Sequence, residues 1–312
     1  MNSVQSALCG FLICVALPLS HSTVPKNTAD FFPYIKGNLS AIKWAHAVNS
    51  QALLKKALND STMMLEADVI LGTLNNDTAT IPIMAHPPSF TSDLSLSDFL
   101  EQVLDFNANS SSKKGIKLDF KTIEVVESSV SILKDLYPKI NCPLWFNADI
   151  LPGPLNTTDT PVDPERFINS TKSFENATLS IGWKTRYGGD IKNASYTQDD
   201  INNMIEFVQN NSITQLITFP VRAGIAAQSI DQLKKLTENV HNSTLTLWNG
   251  IGDAVDVKNL RVLIKDVGLK RVYVDLPDDL KDQLRLDQLG GGSNIKPLTA
   301  LSVILIAFAI MF

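Results

Sequence analysis

Met63-Met64-Leu65-Glu66-Ala67-Asp68-Val69 reads as a β-strand carrying two acids. Side chains two apart on a strand share a face, so Glu66 and Asp68 point the same way. The turn-like cluster Gly72-Thr73-Leu74-Asn75-Asn76-Asp77 follows, then a second strand at 81–85. That spacing predicts a hairpin rather than a crossover helix. The hairpin returns His86, in Ala85-His86-Pro87-Pro88, over the end of the strand that bears the acids.

Outward from this hairpin, β-type runs alternate with helical ones. Strands are predicted at 41–46, 63–69, 115–121, 143–148, 179–183, 215–220, 244–248 and 271–275. Apolar residues at helical spacing fill 95–106, 123–136, 164–174, 197–208, 229–240 and 257–267. Strands alternating with helices over this length predict an α/β fold, a (β/α)8 TIM-type barrel with a β-hairpin insertion after strand 2. No repeat of fixed period is present, and residues 30–280 read as one domain. Residues 281–297 read as a stalk and anchor-attachment region.

In such a barrel, inward residues at the C-terminal ends of the strands build the site. His46, in Trp44-Ala45-His46-Ala47, ends the first strand. Asp119 shares its parity with Lys117 and Lys121 in Lys117-Leu118-Asp119-Phe120-Lys121. Carboxylates converging from neighbouring strands are costly to bury without a cation or the lysines. Oxygen-only ligands suit Mg²⁺ or Ca²⁺ rather than Zn²⁺. The other reading is an internal ion-pair network of Glu66, Asp68, Lys117 and Lys121. A single histidine ending a strand is more often a hydrogen-bonded core residue; here an ordered set of five polar residues stands together. Asn147, Asp149, Trp183, Arg222, Trp248 and Asn249 lie at or just past strand ends and are weaker pocket candidates. Each tryptophan suits packing as well as it suits substrate stacking. Arg222 is the best placed of them to bind an anion.

The strand-terminal His, the Glu-X-Asp strand, the hairpin with a second His and the carboxylate strand ending in Lys resemble the glycerophosphodiester phosphodiesterase superfamily. Within it, Trp44-Ala45-His46-Ala47-Val48-Asn49-Ser50, Glu66-Ala67-Asp68-Val69, Ala85-His86-Pro87-Pro88 and Leu118-Asp119-Phe120-Lys121 closely resemble the menorin family. The runs Trp145-Phe146-Asn147-Ala148-Asp149 and Gly182-Trp183 fit the same resemblance. It implies that His46 and His86 exchange protons and that Glu66, Asp68 and Asp119 hold one divalent cation. It implies a phosphodiester or lipid-headgroup substrate whose charge Lys121 neutralises; Lys117, Arg222, Trp183 and Trp248 are further candidate contacts by their place on the strands, not by the resemblance. Phosphodiesterases of this type usually carry Arg directly after the first His, where this chain has Ala47. Asn49 is the residue nearby that could take over part of that role. Menorin-like proteins are extracellular or membrane-associated and act in neuronal patterning and tissue maintenance. A non-catalytic adhesion or co-receptor module, with cell-surface proteins as partners, is therefore the alternative function.

The ends point to the same compartment. Residues 1–22 read as a secretory signal peptide, with an apolar stretch at 7–19 before small and polar residues. Gly290-Gly291-Gly292-Ser293-Asn294-Ile295-Lys296-Pro297 precedes an unbroken apolar run at 298–312. Small residues, a polar spacer and a greasy tail match a GPI-attachment signal; a transmembrane segment is the alternative. The expected location is the outer face of the plasma membrane. Asn-X-Ser/Thr sequons recur between predicted strands, among them those at Asn76, Asn156 and Asn193, so a glycoprotein is expected. Cys9 and Cys14 leave with the signal, and Cys142 remains as a buried thiol without a disulfide partner. The net charge of −5, with no basic block, argues against a nucleic-acid partner.

Overall fold

A computed structural model describes residues 27–75, 77–155 and 159–290. The signal-peptide and anchor readings lie outside these residues. The chain opens with a short helix α1 (Thr28–Phe31), strand β1 (Trp44–Ala45) and helix α2 (Gln51–Asn59). Strand β2 (Met64–Leu74) turns back into β3 (Ile81–Met84), followed by β4 (Thr91–Ser92) and α3 (Leu96–Asn109). Then come β5 (Gly115–Phe120), α4 (Ile123–Leu136), β6 (Leu144–Pro152), α5 (Pro164–Thr171), β7 (Thr178–Lys184) and α6 (Gln198–Asn210). The last part holds β8 (Ile217–Arg222), α7 (Ala223–Ala226), α8 (Ile230–Asn239), β9 (Thr244–Trp248), α9 (Val257–Val267), β10 (Val272–Asp275) and α10 (Asp278–Leu284).

The ladder runs β1-β2-β5-β6-β7-β8-β9-β10, each neighbour parallel to the next. This is a nearly closed barrel of eight parallel strands, as the alternation of strands and helices predicts. The hairpin is there too: β3 pairs antiparallel with β2, setting Val69 opposite Met84. The small strand β4, which extends β2 in parallel, is not legible in the sequence.

Parity sorts each strand into two environments. On β2, Leu65, Ala67 and Val69 are fully buried in the main core with Phe99, Leu100 and Val103 of α3. Glu66 and Asp68 take the opposite face and point into the barrel. The barrel floor is apolar. Trp145 packs edge-on against Tyr273, centroids 4.7 Å apart, and Trp44 at 5.4 Å. Its indole N–H donates to Thr28 Oγ1 at 3.1 Å. Phe32, Ile35 and Leu39 join the same buried cluster, so the segment before β1 closes the bottom of the barrel. A sealed floor leaves the C-terminal ends of the strands as the mouth.

Two expectations are corrected. The first strand is only Trp44–Ala45, because Asn38 accepts the Ser40 N–H at 3.2 Å and winds Leu39–Ala41 into a 3-10 turn. The stretch from 281 onward is not a free stalk at its start. Leu284 is fully buried, and Arg261 donates to its carbonyl oxygen, so the domain runs through α10. Among the described residues, no helix is long and apolar enough to cross a membrane.

Candidate active site

Register brings the acids together. Glu66 lies beside Lys117, and Asp68 beside Asp119, which lies beside Asn147. One oxygen each from Glu66, Asp68 and Asp119 lies within 4.8 Å of the others. Glu66 and Asp68 are 1% and 4% exposed, so little solvent screens them. Several of their oxygens already have organised donors. Glu66 Oε2 accepts the Ala47 N–H at 2.7 Å. Asn49 donates to Asp68 Oδ2 at 2.7 Å and accepts the Asp68 N–H at 2.9 Å. Asn147 donates to Asp119 Oδ1 at 2.6 Å and accepts from Ser180 Oγ at 2.6 Å. Lys121 Nζ sits 2.6 Å from both Asp68 Oδ1 and Asp119 Oδ2.

Electrostatics divides the acids. Burial pushes the Glu66 carboxyl up, and Asp68 and Asp119 add to that push, while His46 and Lys117 pull against it. Burial also resists ionisation of Asp119, but Lys121 and Lys117 outweigh it and hold this carboxyl below its usual range. Partial burial also works against the charge of Lys121; the surrounding Asp119, Asp68 and Glu66 charges nevertheless keep its ammonium firmly protonated. Whether these residues suit a metal ion turns on donor chemistry. The set is carboxylate oxygens only, on adjacent strands, which fits a hard divalent cation.

The histidines stand at the lip. His46 follows β1, its side chain 55% exposed, with Nδ1 3.1 Å from Asp275 Oδ2 and 3.4 Å from Glu66 Oε2. Attraction to Glu66 raises its pKa to about 9, against burial and with help from Asp275. With Nδ1 turned to carboxylates, Nε2 is the nitrogen available for proton transfer. His86 Nδ1 lies 2.7 Å from the Pro87 carbonyl oxygen, which can only accept. Nδ1 of His86 therefore carries hydrogen, and Nε2 is left with a lone pair when the ring is neutral. Ala47 adopts φ +54°, a left-handed turn that aims its N–H at Glu66 and lets the chain pass from β1 to Asn49.

A cavity of about 610 Å³ joins these groups; His46, Glu66, Asp68, His86, Asp119 and Lys121 all line it. Lys117 and Trp248 line it as well, and Lys117 Nζ lies 5.7 Å over the Trp44 ring. Three residues expected to meet a substrate stand elsewhere. Arg222 is spent on Asp253 through a bidentate pair at 2.7 and 2.8 Å, and it does not line the cavity. Trp183 is 2% exposed, packed on Tyr196 and Phe219. Asn49 is held by Asp68 on both its amide atoms and so positions that acid instead of replacing a missing arginine. Of the weaker candidates, Asn147 and Asp149 line the cavity, and Asn249 does not. Asp275 was overlooked. The signal was available, since it is a carboxylate ending a barrel strand, like Asp119.

A parallel barrel with a carboxylate trio, a lysine and two histidines at its mouth defines a TIM-type α/β barrel with an acidic, histidine-rimmed pocket. Residues 38–281 match the Menorin N-terminal domain. Protein FAM151B of Homo sapiens is 37% identical over 236 residues, covering 75% of this chain and 82% of that protein. The chain belongs to the menorin family. Among solved structures, a glycerophosphoryl diester phosphodiesterase from Parabacteroides distasonis is similar with a TM-score of 0.42 and 12% identity, over 81% of this chain and 88% of that one. A 2,3-dimethylmalate lyase of the PEP mutase/isocitrate lyase superfamily is similar with a TM-score of 0.42 and 10% identity, over 86% and 92%.

Proposed function

We propose that this menorin-family barrel is a metal-dependent phosphodiester-cleaving enzyme acting outside the cell. The observation that carries the reading is the meeting of Glu66, Asp68 and Asp119 with two histidines in one cavity. Glu66, Asp68 and Asp119 would hold Mg²⁺ or Ca²⁺. The bound ion supplies charge neutralisation and polarisation of a phosphoryl oxygen. His86 Nε2 accepts the proton of the attacking hydroxyl, from water or from the substrate itself. The new O–P bond forms as the leaving P–O bond breaks, and His46 Nε2 protonates the departing oxygen. Asp275 accepts from Nδ1–H and so steadies the doubly protonated ring whose Nε2–H is given up. Lys121 bridges Asp68 and Asp119, offsets their mutual repulsion and limits the negative charge that a phosphate meets.

The test is turnover of a panel of glycerophosphodiesters, lysophospholipids and an activated aryl phosphodiester with Mg²⁺ or Ca²⁺. His46→Ala and His86→Ala should each lower the rate about 10²–10⁴-fold with secretion intact. A second reading is favoured by Lys121, whose bridge between Asp68 and Asp119 makes the trio an internal ion-pair network. On that reading the barrel is an adhesion or co-receptor module. No turnover across the panel, with partner binding unchanged in both histidine variants, would establish it. The extracellular placement rests on the apolar sequence at 7–19 and 298–312. Release from cells by phosphatidylinositol-specific phospholipase C tests the GPI form of the anchor, and recovery of an intact tail by mass spectrometry would refute it.

A further inference from the structure

A diester bound at this site brings negative charge toward buried acids, so some side chain must face it with a positive charge that is not already consumed. The cations of the barrel mouth can be taken in turn. Lys121 is shared between Asp68 and Asp119 at 2.6 Å each. Lys117 lies level with Glu66, one layer below Asp68 and Asp119, 4% exposed and with Nζ over Trp44. Arg222 is locked to Asp253 and stands outside the cavity. Strand β1 leads to His46, whose charge is already shared with Glu66 and Asp275, and to Ala47, which carries none.

Lys184 is different. It ends β7 with the parity of Ser180, whose hydroxyl points inward to Asn147, so its side chain follows the same inward stripe. It lines the cavity and is 22% exposed. Its carboxylate neighbour, Asp149, lies 3.8 Å from Nζ, beyond hydrogen-bond distance. Thr185 and Thr160 line the same cavity. A Cβ at Gly182 would come within 2.7 Å of Pro220 and 3.3 Å of Asp149 Oδ1, so glycine there keeps that side of the mouth open.

Building on the phosphodiesterase reading, we infer that Lys184 is the substrate-facing cation and takes a non-bridging phosphate oxygen. Burial, with the Asp119 charge adding to it, pushes the Asp149 carboxyl up to about 6, which weakens its claim on the lysine as pH falls. The substrate class that follows is a phosphate diester whose anionic oxygen reaches across from the acidic centre on β2 and β5 to the end of β7.

The experiment is calorimetric titration of the purified domain with inorganic phosphate and with glycerol 3-phosphate in the presence of Mg²⁺. Lys184→Met should weaken both about tenfold or more, while Lys184→Arg stays within about threefold of the parent. Melting curves with and without Mg²⁺ accompany each variant. An unchanged Mg²⁺-induced rise in Lys184→Met keeps the effect on the anion and supports the assignment. Parent-like phosphate affinity in Lys184→Met overturns it and leaves the phosphodiesterase reading standing. Loss of the Mg²⁺ response in Lys184→Met also overturns it, since Lys184 would then support the metal centre. A parent protein that takes up Mg²⁺ but binds neither phosphate overturns the phosphodiesterase reading itself.

Discussion

His46 Nδ1 and Asp275 Oδ2 stand 3.1 Å apart, joining the two ends of the strand order. β1 and β10 meet here through side chains, where the other neighbours meet through backbone ladders. One contact therefore contributes both to the closure of the barrel and to the proton chemistry of its mouth.

Asp275→Asn should reveal both roles. In the metal-free protein His46 should titrate at about 9, well above an ordinary imidazole. A raised histidine pKa stabilises the fold fully below about 6.5, and that contribution fades as pH rises through about 9. In Asp275→Asn, NMR titration should place the His46 midpoint lower, and the fade should begin at lower pH. An unmoved midpoint would show that Glu66 alone sets the charge of His46.

The acidic trio predicts a metal response. Mg²⁺ or Ca²⁺ at millimolar concentration should raise the melting temperature of the domain, because an ion bound only by the native state stabilises it. Glu66→Gln combined with Asp68→Asn should abolish that rise. These amides keep acceptors for the Ala47 N–H and for Asn49 while removing the ligand charge. A parent melting curve indifferent to both ions rejects the metal site.

Asp149 makes a prediction of the same sign as His46 in a lower pH window, with the charged form now the destabilising one. Its folded pKa is raised to about 6, so its ionisation opposes folding. Stability should fall as pH rises from about 4 through 6. Asp149→Asn should melt higher than the parent at pH 7.5, by on the order of 1 kcal/mol after allowance for its partial exposure, and equally at pH 4. Equal melting of the two at pH 7.5 would mean that Lys184 fully compensates the charge.

The barrel floor predicts a large stability loss. Trp145 is fully buried between Trp44 and Tyr273, and its N–H is satisfied by Thr28. Trp145→Ala should cost about 3–5 kcal/mol in denaturant unfolding. A loss under about 1 kcal/mol would show that the preceding segment refills the space.

Local chemistry written along the chain was enough for much of this. Strand parity determines that Glu66 and Asp68 share a face, and the turn residues between 72 and 77 determine that the next strand folds back instead of crossing over. Alternating periodicities determine an α/β barrel, because strands and helices bury their apolar faces only in a few layered ways. What the tertiary structure decided is which polar groups are already spent. Arg222 and Trp183 end or follow strands just as Asp119 does, yet one is consumed by Asp253 and the other sealed under Tyr196 and Phe219. Asn49 and Asp68, and His46 and Asp275, are partners across 19 and 229 residues of sequence. Such pairings depend on register and barrel closure, which sum contacts from the whole chain. Hydrogen-bond partnership is a property of positions in space, and no local pattern carries it.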